Sequence, residues 1–174
     1  MAVAALSRRE QNKHDKRARI TAAARALFAH KGFTATTTQE IADAAGVAAG
    51  TIFTYARTKD DLLILVFHDE MLDVVERART RALQQPRLRD QAIAFFNVLA
   101  DYHERDLPLA RALMRQLSYV ESTDQRALVS QLMRRLLGHL AKLIDAAKAT
   151  GEVAASRPPT VAARTLFAVY FLPP

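Results

Sequence analysis

Cysteine and tryptophan are absent from this 174-residue chain, and glycine (5) and proline (6) are scarce. Without Cys there can be no disulfide, no thiolate nucleophile and no Cys-ligated zinc or iron–sulfur site, which fits a reducing compartment. No apolar run approaches the roughly 18 residues that would span a bilayer; Leu62–Phe67 is six long. The chain opens apolar and then turns basic at Arg8-Arg9, the reverse of a secretory signal, so a soluble, cytoplasmic protein is expected. No Val/Ile/Thr-rich run alternates with period two, which excludes most β architectures. Catalytic constellations are missing as well: there is no Glu-x-x-His pair, phosphate-cradling glycine loop or nucleophile elbow, so no enzyme and no cofactor are expected. His68, His103 and His139 fall on three different predicted helices without ligand-type spacing, which argues against a metal.

Half of the residues are apolar, and they recur at three and four. At about 100–200 residues per domain, the length allows one compact domain or a small one fused to a mid-sized one. The periodicity predicts an all-α fold. Ile20, Ala24, Leu27 and Phe28 mark a first helix stopped by Gly32. Thr37-x-x-Glu40 is a capping box that opens a short second helix, and Gly46 ends it. A third runs from about Ala48 to Ala56, and Thr58 starts a long fourth reaching about Gln84. Beyond Pro86, Arg89–His103 presents Ile93, Phe96, Leu99 and Ala100 on one face, and Pro108 suits the first turn of the next helix. Ser122 caps a long helix carrying Leu128, Leu132, Leu136, Leu140, Leu143 and Ala147 up to Gly151. A last apolar helix follows Pro158-Pro159 through Val161, Leu166, Val169 and Tyr170.

Charge is unevenly placed. Of a net +7, residues 1–59 hold +6, with ten Lys/Arg against four acids. A basic third of a chain points to a polyanion, or else to a solvated tail.

The segment Thr38–Tyr55 decides between these. A helix-turn-helix needs a small residue where its two helices cross (Ala42) and a residue tolerant of positive φ in the turn (Gly46). Inward apolar positions are met by Ile41, Ala45, Val47, Ile52 and Tyr55. A small outer face can enter a major groove about 12 Å wide, and Ala48, Ala49, Gly50, Thr51 and Thr54 supply it.

With its flanks, this segment resembles the TetR family of transcriptional regulators. The resemblance rests on Arg19-Ile20, Ala24, Leu27-Phe28, Gly32-Phe33, Thr36-Thr37-Thr38, Ile41-Ala42, Ala45-Gly46-Val47, Gly50-Thr51-Ile52-Phe53, Tyr55, Lys59 and Leu62. It implies an all-helical homodimer with a DNA-binding domain over 1–59, in which 1–15 is a flexible basic arm. A helical ligand-binding and dimerisation domain would occupy 60–174. The family's last helix normally continues and is followed by another, so this domain is expected to lack its final helix. Three positions depart from the usual pattern: Phe53 stands for Tyr, Ala48 for Ser and Ala56 for Phe.

The expected DNA contacts are Thr37, Thr38, Ala48, Ala49, Gly50, Thr51, Phe53, Thr54, Tyr55 and Lys59. The hydroxyls and Lys59 suit phosphates, and the Ala and Thr methyls suit thymine methyls. Met71, Phe95, Phe96, Leu99, Tyr102, His103 and Met114 are candidates for an effector pocket. The function expected is a repressor released from a near-palindromic double-stranded operator by a small molecule. The alternative is a helical dimeric interaction module with only non-specific DNA binding.

Overall fold

The structure, a computed structural model, describes residues 7–117, 123–154 and 156–171. Among them are eight helices and no strand: α1 (Arg8–Lys31), α2 (Thr38–Ala45), α3 (Ala49–Ile52), α4 (Lys59–Leu83), α5 (Leu88–Glu104), α6 (Leu107–Leu117), α7 (Thr123–Ala149) and α8 (Pro159–Phe171). They form two compact units, residues 1–69 with 106–125, and residues 70–105 with 126–174.

The first unit is built around Ile20, Ala24 and Phe28 of α1, Ile41, Ala42 and Ala45 of α2, and Ile52 of α3, all buried. The start of α4 is enclosed on every side, because all seven residues from Leu62 to His68 are buried. Local signals set each boundary. Ser7 accepts from the Glu10 N–H while the Glu10 carboxylate accepts from the Ser7 N–H, so a capping box starts α1. Residues 8–15 are therefore two turns of helix rather than the expected flexible arm; the Ser-x-x-Glu signal carried that information. Thr37 and Glu40 form the same box at α2, and Gly46 ends α2 in the left-handed region at φ 62°. At α4 the Thr58 hydroxyl accepts from the Asp61 N–H at 3.0 Å, and the Asp61 carboxylate accepts from the Arg57 and Thr58 N–H groups at 2.9 Å. Asp106 caps α6 through the Leu109 N–H at 3.1 Å and accepts from Arg25 of α1 at 3.1 Å.

Two expectations need correction here. The third helix ends at Ile52, not near Ala56, because its hydrogen bonds tighten to three-residue spacing: Thr54 N–H donates to Thr51 and Tyr55 N–H to Ile52. In α5 the buried residues are Phe95 and Leu99, while Ile93 is 47% exposed, so the inward stripe is rotated from the Ile93–Phe96 face.

The second unit centres on Met71, Val74, Val75 and Ala78 of α4, Phe95 and Leu99 of α5, and the Leu132, Leu136, Leu140, Leu143 stripe of α7. Gly151, at φ 76°, closes α7 as expected. Glu152 then accepts from the Leu88 N–H at 2.8 Å, capping α5. The α8 helix buries Ala163 but leaves Val161 and Val169 exposed. Ser122, singled out above, lies outside the described residues.

Candidate nucleic-acid interface

The turn at Gly46 directs the chain from α2 into α3, and its N–H and that of Val47 bond back to Asp43 and Ala42. Ile52 is fully buried beneath α3, which fixes the opposite face outward. Ala48, Gly50, Phe53 and Thr54 are exposed, and Ala49, Thr51 and Tyr55 are half-buried. Phe53 is 56% exposed, a large apolar ring left more than half open to solvent. Ala48 offers no side-chain cap to α3, as expected where Ala stands for Ser.

Several of the polar groups singled out from sequence are occupied inside the unit. The Tyr55 O–H donates to the Lys13 carbonyl of α1 at 3.2 Å. The Thr37 hydroxyl serves its capping box, donating to Glu40 at 3.0 Å. Glu40 also pairs with Lys31; that bond, then those from Thr37, hold its pKa down to about 2. Lys59 Nζ donates to the Thr34 and Thr36 carbonyls at 3.0 and 2.9 Å and lies over the Phe33 ring. Two of its three donors are thus spent on the α1–α2 connection, which sequence spacing did not reveal.

A tie from α1 to α4 completes the scaffold. Arg17 forms a two-pronged bond to Asp69, with Nε at 3.2 Å from Oδ2. His68 Nδ1 donates to the same carboxylate at 3.1 Å. Burial raises the Asp69 pKa, but the bonds from His68 and Arg17 outweigh it and leave it lowered. The other ring nitrogen of His68 is buried and has no hydrogen-bond partner among the described residues.

A short helix held proud on a glycine turn, on the basic third of the chain, is the shape of a major-groove reader. Residues 20–66 match the family description "Bacterial regulatory proteins, tetR family". The N-terminal module belongs to the tetR family. The Fatty acid metabolism regulator protein of Bacillus subtilis is 27% identical to this chain over 148 residues, covering 82% of this chain and 73% of the relative. Among solved structures, Thermus thermophilus FadR, a TetR-family transcriptional repressor in complex with lauroyl-CoA, has a TM-score of 0.70 at 26% identity. That match covers 89% of this chain and 79% of the other. FadR from Bacillus subtilis in complex with stearoyl-CoA has a TM-score of 0.68 at 22% identity, covering 88% and 82%, a likeness of fold. The protein that carries this module is therefore a DNA-binding transcriptional regulator.

In its second unit the effector candidates are only partly together. Phe95 packs edge-on against Phe96 at 5.7 Å, and Phe96 stacks on Tyr170 of α8 at 4.8 Å. Tyr102 lies edge-on to His103 at 5.3 Å and donates its hydroxyl proton to Glu70. Met71, Phe95 and Leu99 are buried; Phe96, Tyr102 and His103 are half-buried. Burial lowers the His103 pKa, favouring the neutral ring. Met114 is on α6, in the first unit.

Sequence reasoning missed an ionic cluster in this unit. Glu76 of α4 accepts from Arg79 (3.0 Å) and, across to α7, from Arg135 (2.9 Å) and His139 (2.9 Å). Arg135 first, then Arg79, with a further contribution from His139, hold Glu76 down to about 2 against slight desolvation. Only Glu76 and Arg79, at i and i+3, were visible as a helical pair. Among the described residues no three His, Asp or Glu side chains gather as a metal site, and no helix is long and apolar enough to cross a membrane.

Proposed function

We propose that this tetR-family regulator is a dimeric repressor that fatty acyl-CoA thioesters release from its operator. The observation that carries the DNA-binding half is the exposed Ala48–Thr54 surface set on the Gly46 turn, within the third of the chain that holds nearly all the excess positive charge. The effector class is supported by the relatives, a fatty acid metabolism regulator and two FadR structures holding acyl-CoA. The apolar second unit, with Phe95 and Leu99 buried and Phe96 stacked on Tyr170, suits an acyl chain.

Two copies would set two α3 helices into successive major grooves about 34–36 Å apart. Residues 1–59 serve as the reading domain and 60–174 as the sensor and dimerisation domain, in the cytoplasm and without a catalytic step. Thr37, Thr38, Ala48, Ala49, Gly50, Thr51, Phe53, Thr54, Tyr55 and Lys59 face or support the duplex. An acyl-CoA binds better to the arrangement that does not match this spacing, and so lowers DNA affinity by linkage.

The test is operator binding followed by fluorescence anisotropy while lauroyl-CoA, free coenzyme A or laurate is titrated in. Lauroyl-CoA should weaken binding by about tenfold or more, within the range of allosteric coupling, and coenzyme A alone should not. Unchanged operator affinity at saturating lauroyl-CoA rejects the effector assignment. Equal affinity for selected and random duplex rejects the reading domain and favours the non-specific interaction module.

A further inference from the structure

The ten residues Val47–Ala56 contain no Arg, Lys, His, Asn, Gln, Asp or Glu. Guanine is read in the major groove by Arg or Lys, and adenine by Asn or Gln, through paired hydrogen bonds. None of these side chains is on α3 or its flanks. The nearest amide, Gln39 of α2, already donates to Asp43 at 2.8 Å. Tyr55, the one phenol in the segment, is bonded to Lys13. What the segment turns outward is apolar or small: the Ala48 methyl, the Phe53 ring, bare backbone at Gly50, and Thr54 with its methyl and hydroxyl. The apolar feature that a major groove offers in return is the C5-methyl of thymine.

Gly50 carries a second, independent observation. It lies within α3 and is not among the glycines of positive φ, and a Cβ added there would meet nothing within 4 Å. The fold has no use for a glycine at this point; in a helix Gly costs about 0.5–1 kcal/mol relative to Ala. Its absent side chain leaves room on the outward side alone, where another molecule's surface would approach the backbone.

We propose that α3 reads its operator through thymine methyl groups packed against Ala48, Phe53 and Thr54, with Gly50 letting the backbone close on the base edges. This rests on the DNA-reading function proposed above and names the base class it recognises. No side chain of this helix pairs guanine through two hydrogen bonds, and half-sites are defined chiefly by the positions of their T·A pairs. Affinity and its salt dependence come from cations elsewhere in the first unit, whose phosphate contacts carry no sequence information.

The experiment uses the full chain and a duplex library with about 20 randomised base pairs, enough for two half-sites a turn apart. Enriched duplexes are resynthesised with deoxyuridine replacing thymidine one position at a time, which removes only the methyl. Affinity should fall about fourfold at each thymine facing α3, the ratio equivalent to about 0.8 kcal/mol for one buried methyl-sized group. In parallel, Gly50→Ala should melt at the same or a higher temperature and yet bind the enriched duplex about tenfold more weakly. Enriched sites indifferent to uracil, or Gly50→Ala binding like the unaltered chain, would overturn the inference while leaving sequence-specific binding intact. Failure to enrich any sequence would remove the DNA-reading function itself, and this inference with it.

Discussion

Lys59 holds its ammonium 4.7 Å from the centre of the Phe33 ring while donating to the Thr34 and Thr36 carbonyls. The first residue of α4 is thereby fastened to the connection between α1 and α2. Its charge satisfies carbonyls that follow the Gly32 helix stop, and its attraction to the ring adds a smaller, partly solvated term. Lys59→Ala should therefore lower unfolding stability by about 1–2 kcal/mol, since hydrogen bonds to a charged group are worth more than neutral ones. Urea denaturation monitored by circular dichroism checks this. An unchanged midpoint would return Lys59 to the role of a simple surface cation.

Phe53 provides the opposite case. It is 56% exposed and lies outside the buried core of its unit. Phe53→Ala should leave stability within about 0.5 kcal/mol, as surface substitutions do. Affinity for a selected operator should nevertheless drop by about tenfold, the loss of a buried aromatic contact at an interface. Equal losses in folding and binding would mean the ring belongs to the core.

Removing one member of the Arg17–Asp69 pair should cost more than removing both. Arg17→Ala strands a half-buried carboxylate with His68 as its remaining partner. We expect about 1–2 kcal/mol of lost stability, between the values for surface and fully buried pairs. Adding Asp69→Ala should recover part of it. A double-mutant cycle in urea gives the coupling directly, and a value near zero would show that the two helices are joined by apolar packing alone.

Acid should loosen the fold in a defined window. Glu40 and Glu76 each titrate at about 2 in the folded state against 4.5 as ordinary glutamates. A depressed folded pKa contributes stability that is present above 4.5 and is lost as pH falls towards 2. Both groups are solvent-accessible, so screening makes each contribution modest. Glu76→Gln should lower stability at pH 7 and flatten its decline between pH 4.5 and 2. Melting temperatures recorded across that interval test the sign: a steeper decline in the variant would contradict it.

Much of the reading domain was legible because its signals are local. Thr37-x-x-Glu40 and Gly46 act within one turn of helix, and Ala42, Ile41 and Ile52 sit where close packing of two short helices requires them. The Ser7-x-x-Glu10 box is equally local, and the expectation of a flexible arm over 1–15 passes over it. What could not be read depends on partners remote in sequence. Nothing near Lys59 announces the carbonyls of Thr34 and Thr36, and nothing near Glu76 announces Arg135 and His139 on α7. The α5 stripe failed for a different reason. Ile93, Phe95, Phe96 and Leu99 offer two overlapping apolar faces about 100° apart per residue step, and only the surrounding helices select one. The early end of α3 likewise reflects a tightened turn that periodicity does not register.

The seven enclosed residues Leu62–His68 seat the start of α4 firmly among its neighbours. A rod gripped around its whole circumference cannot spin or slide in its socket without breaking that grip. With Lys59 clasped at one end and Asp69 tied to Arg17 at the other, the rod and the reading helices form a single yoke. On the function proposed above, a regulating ligand would move this yoke as one piece. A bound duplex would feel a change in aim, with the shape of each reading head preserved.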